Sequence, residues 1–186
     1  MGLVINNLTN PLTEDYKSLK SLIHGTEFKW YYMPSTWFGS ADVDISGKRD
    51  ISFYSHKIME RPDRYARRPF SEITSDIFPL VNVVLGEIFD HNNIECHVMY
   101  RINLNATSAS SVKRTPYHTD LEIPHKNLIV YMSDFVGGNT YIMKDGEEIS
   151  FPPKEDGILL FDGSLEHCIS PPEGNNRRIV MVVNFY

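Results

Sequence analysis

From Glu95 onward the chain is a succession of short apolar runs, each closed by turn-forming residues. Residues 96–103, 128–132, 140–143, 158–161 and 179–185 are rich in β-branched and aromatic side chains and read as strands. Between them fall Gly137-Gly138, Asp145-Gly146, Asp156-Gly157 and Asp162-Gly163, pairs that reverse a chain cheaply. Short strands with turns this frequent predict a β-sandwich or jelly roll.

The preceding residues read differently. Thr13 is placed to cap a helix carrying Tyr16, Leu19, Leu22 and Ile23 at helical spacing, with Gly25 ending it. Residues 28–33 look like a strand stopped by Pro34. Residues 71–89 carry an apolar stripe of Ile73, Ile77, Leu80, Val81, Val84, Leu85 and Ile88, with Ser71 as cap. Pro79 there marks a break or the first turn of a second helix. The expectation is one mainly β domain over residues 1–186. In it, 1–95 form a helical and irregular support and 96–186 a jelly-roll core, a double-stranded β-helix of the cupin-like kind.

Bulk properties narrow the class. A chain of 186 residues should bury about 70% of its unfolded surface in one domain. A net charge of −6 argues against non-specific nucleic-acid binding, which needs an excess of Lys and Arg. Cys96 and Cys168 are the only cysteines, too few for a disulfide framework. Residues 1–10 lack the basic and apolar regions of a signal peptide, and no run approaches a membrane span of about 18 apolar residues. A reduced, cytoplasmic setting is expected, with no membrane partner.

The chemistry centres on His118-Thr119-Asp120. On an extended strand an imidazole and a carboxylate two residues apart point to the same side. An isolated H-x-D is more often a hydrogen-bonded polar pair, but here a polar loop (residues 105–113) precedes it and Pro124 follows. His167, directly after the Asp162-Gly163-Ser164 turn, can supply a third ligand from a strand that a jelly roll brings alongside. Two imidazoles and one carboxylate on one face leave half an octahedron open, the arrangement of non-haem Fe(II) oxygenases. The adjacent cations Arg177 and Arg178 could hold an acid co-substrate against such a metal. Only one of them can face inward; Arg178 is chosen because it opens the apolar strand, and counting by twos also turns Asn184 inward.

With these residues assembled, the chain resembles the iron(II)/2-oxoglutarate-dependent oxygenases, within them the prolyl-4-hydroxylase-like group. The resemblance runs over residues 99–186. It is carried by Tyr117-His118-Thr119-Asp120, Gly137-Gly138-Asn139-Thr140, Pro152-Pro153, residues 157–161, His167 and Arg177-Arg178-Ile179. It implies that His118, Asp120 and His167 ligate Fe(II) and that Arg178 pairs with the far carboxylate of 2-oxoglutarate, as a planar guanidinium suits. It further implies that Tyr131, or less directly Tyr100, donates a hydroxyl to the same carboxylate. For both tyrosines a place in the core is the competing expectation. Fe(II), 2-oxoglutarate and O2, with ascorbate as accessory reductant, are the implied cofactors. The implied activity is hydroxylation of an unactivated C–H bond with release of succinate and CO2. A peptidyl or small-molecule substrate is expected, nucleic acid less so. Retention of Asp120, where related halogenases carry a small residue, favours hydroxylation.

The remaining features receive plainer readings. His24, His56, His91, His97 and His125 are expected in surface or core roles, with a place near the mouth of the site as the alternative for His125. The basic residues Lys57, Arg61, Arg64, Arg67 and Arg68 read as a solvated loop, with a lid over an acidic substrate as the alternative. Residues 105–114 look too polar to pack and are a candidate gating loop. Trp30 and Trp37 are expected as packing anchors. The rival to an oxygenase is a metal-binding cupin, an isomerase or sensor, which would need no cation at Arg178.

Overall fold

The computed structural model of the chain describes residues 2–35, 51–62 and 69–186. Trp37, Arg64, Arg67 and Arg68 lie outside these residues. The N-terminal part supplies β1 (Val4–Leu8), α1 (Glu14–His24), β2 (Tyr31–Met33), β3 (Phe53–Glu60), β4 (Glu72–Ile73) and α2 (Phe78–His91). The remainder is β: β5 (Met99–Thr107), β6 (Lys126–Tyr131), β7 (Val136–Gly137), β8 (Thr140–Lys144) and β9 (Glu147–Phe151). It ends with β10 (Ile158–Asp162), β11 (His167–Ile169), β12 (Pro172–Glu173) and β13 (Arg178–Phe185). No described helix is long and apolar enough to cross a membrane.

Local chemistry explains most of these boundaries. The Thr13 hydroxyl accepts the Tyr16 amide at 3.2 Å and so caps α1, while Gly25 N–H closes the helix on Leu22 O. Asp145 and Gly146 both take positive φ (53° and 83°), the backbone that a tight β8–β9 hairpin needs.

One expectation fails at α2. Residues 71–77 are not helical, because Glu72–Ile73 pairs with β3 and the Ser71 hydroxyl donates to the carbonyl of Tyr100 instead of capping. The helix begins at Phe78 with Pro79 in its first turn, where a missing N–H costs nothing. Similarly, the strand expected over 28–33 is reduced to β2, and β5 runs later than 96–103. Asn105 to Thr107, expected to open a flexible loop, are strand residues of β5.

Eight strands form the larger sheet in the order β1-β10-β6-β13-β5-β3-β2, with β4 attached to β3. Antiparallel β11-β8-β9 and β12-β7 make the opposing layer. The architecture is the expected double-stranded β-helix. The N-terminal residues, expected as helical and irregular support, also extend the larger sheet with four strands.

Alternation sorts the side chains of the central strands. Ile179, Met181, Val183 and Phe185 of β13, with Ile102, Leu104 and Ala106 of β5, face the helices and pack with Leu19, Val84, Leu85 and Ile88. The alternate residues face the second layer, where Ile129, Tyr131, Leu159, Phe161 and Val180 meet Phe135, Ile142 and Phe151. Trp30 joins the first cluster from its edge, meeting Phe28 edge-to-face with ring centroids 5.0 Å apart.

Leu85 is fully buried between α2 and the sheet, whereas Val83 on the same helix is 47% exposed. Leu85→Ala should therefore lower the unfolding free energy by about 2–5 kcal/mol. Val83→Ala should change it by no more than about 0.5 kcal/mol. Urea titration of the two variants would measure both; equal effects would disprove the packing described.

Candidate metal centre and its cleft

His118 and Asp120 do not lie on an extended strand, contrary to the sequence expectation. They sit in the segment between β5 and β6, fixed to β11 by one antiparallel bridge between His118 and His167. The two backbones exchange hydrogen bonds at 3.0 and 2.9 Å, so residues remote in sequence become neighbours. One ligand atom from each of His118, Asp120 and His167 lies within 4.8 Å of the others.

Each ligand is oriented by its surroundings. Nδ1 of His118 faces the Pro116 carbonyl at 3.1 Å, and Nδ1 of His167 faces Leu165 O at 3.4 Å. Such contacts leave Nε2 free to ligate. The His167 ring meets the edge of Phe161 at 5.0 Å. Burial holds its imidazole down to about 4, against the pull of Asp120, so it is neutral at pH 7.

Asp120 is held on both sides. Arg101 Nη2 approaches one carboxylate oxygen at 2.6 Å and Asn184 Nδ2 donates to the other at 3.1 Å. Burial pushes its pKa up, but Arg101, His167, His118 and Asn184 together overcome this and hold the carboxyl well below the usual range. Two imidazoles and an ionised carboxylate on one side of an open cleft suit a divalent transition metal with free coordination positions.

The cleft has a volume of about 440 Å³ and runs between the layers from Arg101 and Asp120 to Arg178. Arg178 is only 3% exposed. It donates from Nε to Gly138 O (3.1 Å) and from Nη2 to Thr140 Oγ1 (3.2 Å), with the Tyr131 ring 5.6 Å away. Among the described residues it has no carboxylate partner. Burial lowers its proton affinity from the ordinary arginine value, yet guanidinium stays charged in proteins. A buried, uncompensated cation is costly.

No family model and no curated protein sequence matches this chain. Its three-dimensional form does match. It is similar to an oxidoreductase of the 2OG-Fe(II) oxygenase family from Burkholderia pseudomallei, with a TM-score of 0.69, 12% identity and coverage of 99% of this chain and 85% of that one. A prolyl hydroxylase from Trichoplax adhaerens, solved with a hypoxia inducible factor peptide fragment, gives 0.60 at 11% identity, covering 100% and 83%. The non-haem alpha-ketoglutarate-dependent epimerase SnoN from nogalamycin biosynthesis gives 0.59 at 8%, covering 99% and 75%.

The fold is that of the 2OG-Fe(II) oxygenases.

Within this oxygenase fold the other singled-out residues separate. Arg177 is exposed, its guanidinium 5.4 Å from the Tyr54 ring, outside the cleft. Tyr131 is not among the residues lining the cleft but is buried directly beside Arg178, its hydroxyl 2.9 Å from Thr140 Oγ1. Tyr100 does not line the cleft. It sits at an irregularity where Asn184 pairs with Arg101 and Phe185 with Met99.

His125 is buried over Gly163, where an added Cβ would fall 2.2 Å from its Nε2, and it is not a cleft residue. Of the basic segment, Lys57 and Arg61 are not merely solvated: both line the cleft. Lys57 pairs with Glu60, and Arg61 reaches the Asp120 carbonyl.

Sequence reading missed Arg101, Thr140, Asn103 and Asn105. Only the β5–β13 register identifies which β5 side chains face inward. Gly138 is required beside Arg178 on two grounds. Its φ is +64°, and a Cβ there would lie 2.6 Å from the Phe135 ring and 3.2 Å from Arg178 Cδ.

Because Arg178 is a buried charge without a counter-ion, Arg178→Met should leave ligand-free stability unchanged or raise it, by up to roughly 3 kcal/mol. Thermal unfolding of the two proteins tests this. A clear fall would mean that the bonds to Gly138 and Thr140 outweigh the desolvation of the charge.

Proposed function

We propose that this protein is an Fe(II)- and 2-oxoglutarate-dependent dioxygenase that hydroxylates an unactivated C–H bond of a peptidyl or small-molecule substrate. Arg178 carries the reading: a cupin that works as a metal isomerase or sensor has no use for a buried cation lacking an acid. In this reading His118, Asp120 and His167 hold Fe(II), which with 2-oxoglutarate and O2 supplies the oxidising power, while succinate and CO2 leave.

The chain's own residues then do the positioning. Arg178 takes the far carboxylate of 2-oxoglutarate through its planar fork of donors. The Tyr131 hydroxyl, which shares Thr140 with Arg178, is the second donor on that carboxylate. Arg177, exposed, and Tyr100, away from the cleft, have no part in it. Ile129, Val180 and Phe161 line the cleft with apolar surface and limit water around the reacting groups. Arg101 and Asn184 keep Asp120 ionised and fixed. Asp120 also occupies the position that a halide would need, which favours hydroxylation. The fold alone does not select the outcome, since it is shared with an epimerase.

The decisive experiment is anaerobic titration of the protein with Fe(II) and then 2-oxoglutarate, followed by the visible charge-transfer band of the chelate. Wild type should form the band. Arg178→Ala should weaken 2-oxoglutarate binding roughly 100-fold, the scale for losing one partner of a buried charge pair, and Arg177→Ala should not. Absence of the band in wild type would return the protein to the cupin reading.

A further inference from the structure

The cleft is larger than its acid-binding end, and its floor changes character across the sheet. Two cross-strand rows show this. Ile129, Val182, Asn103 and Lys57 lie side by side on β6, β13, β5 and β3; Tyr131, Val180, Asn105 and Ser55 form the next row. The β6 and β13 members are apolar or aromatic. The β5 and β3 members are all hydrogen-bonding, and Ser55, Lys57, Asn103 and Asn105 line the cleft. Nothing in the metal centre or the Arg178 site uses them.

Their hydrogen bonding is directional. The Ser55 hydroxyl, 4% exposed, donates to Asn105 Oδ1 at 2.9 Å. That bond fixes the carboxamide and leaves the Asn105 amide N–H groups as donors. Asn103 has no side-chain partner among the described residues, so it offers both a donor and an acceptor. The two carboxamides are two residues apart on one strand, about 6.6 Å in repeat. Like-facing peptide groups of an extended chain recur at the same interval. A carboxamide and a peptide group satisfy one another by reciprocal N–H···O=C bonds.

We propose that this β3–β5 wall is the primary-substrate site and that Asn103 and Asn105, the latter held by Ser55, bind an amide of the substrate. The assignment rests on the oxygenase reading above and narrows its substrate to amide-bearing molecules. It also assigns specificity to two residues outside the metal and co-substrate sites. A hydrocarbon or an ester lacks the N–H that Asn103 Oδ1 accepts. Such a molecule leaves the wall's polar groups buried and unpaired, which costs more than the bond itself contributes.

The test uses the full chain, loaded anaerobically with Fe(II) and 2-oxoglutarate, with perturbation of the visible band as readout. The probes are N-acetyl amino-acid N-methylamides spanning the natural side chains, their ester analogues, and simple free carboxamides. Diamides should perturb the band saturably, and the matching esters should bind about tenfold more weakly or worse. Asn103→Ala and Asn105→Ala should each weaken diamide binding about tenfold while forming the probe-free band normally.

Asn105→Asp keeps the acceptor for Ser55 and removes the donor, so it should lose binding equally without a packing change. Response to free carboxamides but not diamides would assign the amide to a small molecule instead of a peptide main chain. The proposal is overturned if esters bind as well as amides, if the three variants bind undiminished, or if no amide perturbs a normal band. Absence of the band from wild type would remove the oxygenase reading, and this assignment with it.

Discussion

Everything functional in this protein depends on the alternation of side chains along three central strands. On β5, β6 and β13 one set of residues is apolar and covered by the helices. The other set carries Arg101, Asn127, Arg178 and Asn184 into the space between the layers. Because both faces are enclosed, a slip of one residue in register would bury four polar groups under α1 and α2 and turn Met181 and Val183 into the cleft. Register is thus fixed by burial, and the geometry of the site follows from register.

Two arginines enter that space under opposite electrostatic conditions. Arg101 is matched by Asp120 at 2.6 Å, and Asn184 satisfies the second carboxylate oxygen. Among the described residues, Arg178 donates hydrogen bonds to neutral oxygens, at Gly138 and Thr140, and to no carboxylate. The first arrangement is complete within the chain and stiffens a ligand; the second, in the proposed reading, is completed by the acid of the co-substrate. Polarity across the cleft follows the same division, with donors at both ends and an apolar strip of Ile129, Val180 and Val182 between.

The sequence was most legible where one physical rule dominated. Thr13 and Gly25 bound α1 because cap chemistry is local. The dipeptides Gly137-Gly138 and Asp145-Gly146 sit where φ is positive, because few other residues tolerate it. His118, Asp120 and His167 were recognisable from order and spacing, and their convergence follows from the fold.

Legibility failed where distant pairing decided the outcome. Residues 71–77 have helical periodicity, but the free edge of β3 captures Glu72–Ile73. Strands β1 and β3 carry no strong alternation and are strands because β10 and β5 offer them partners. Arg101 and Asn103 fell in an expected strand without an assigned face, and Asn105 at the start of an expected loop. Only pairing with β13 shows that they face inward.

The single bridge between His118 and His167 has a consequence for how the molecule holds itself together. The long connection from β5 to β6 carries two of the three ligands, yet within the ligand motif the backbone is tied to β11 by one reciprocal pair of amide bonds. An ion bound there would act as a clasp, fastening that connection to the barrel much as a covalent cross-link closes a loop. Such a clasp would add to the Thr115–Ile169 pair just upstream and stiffen the stretch that carries His118 and Asp120.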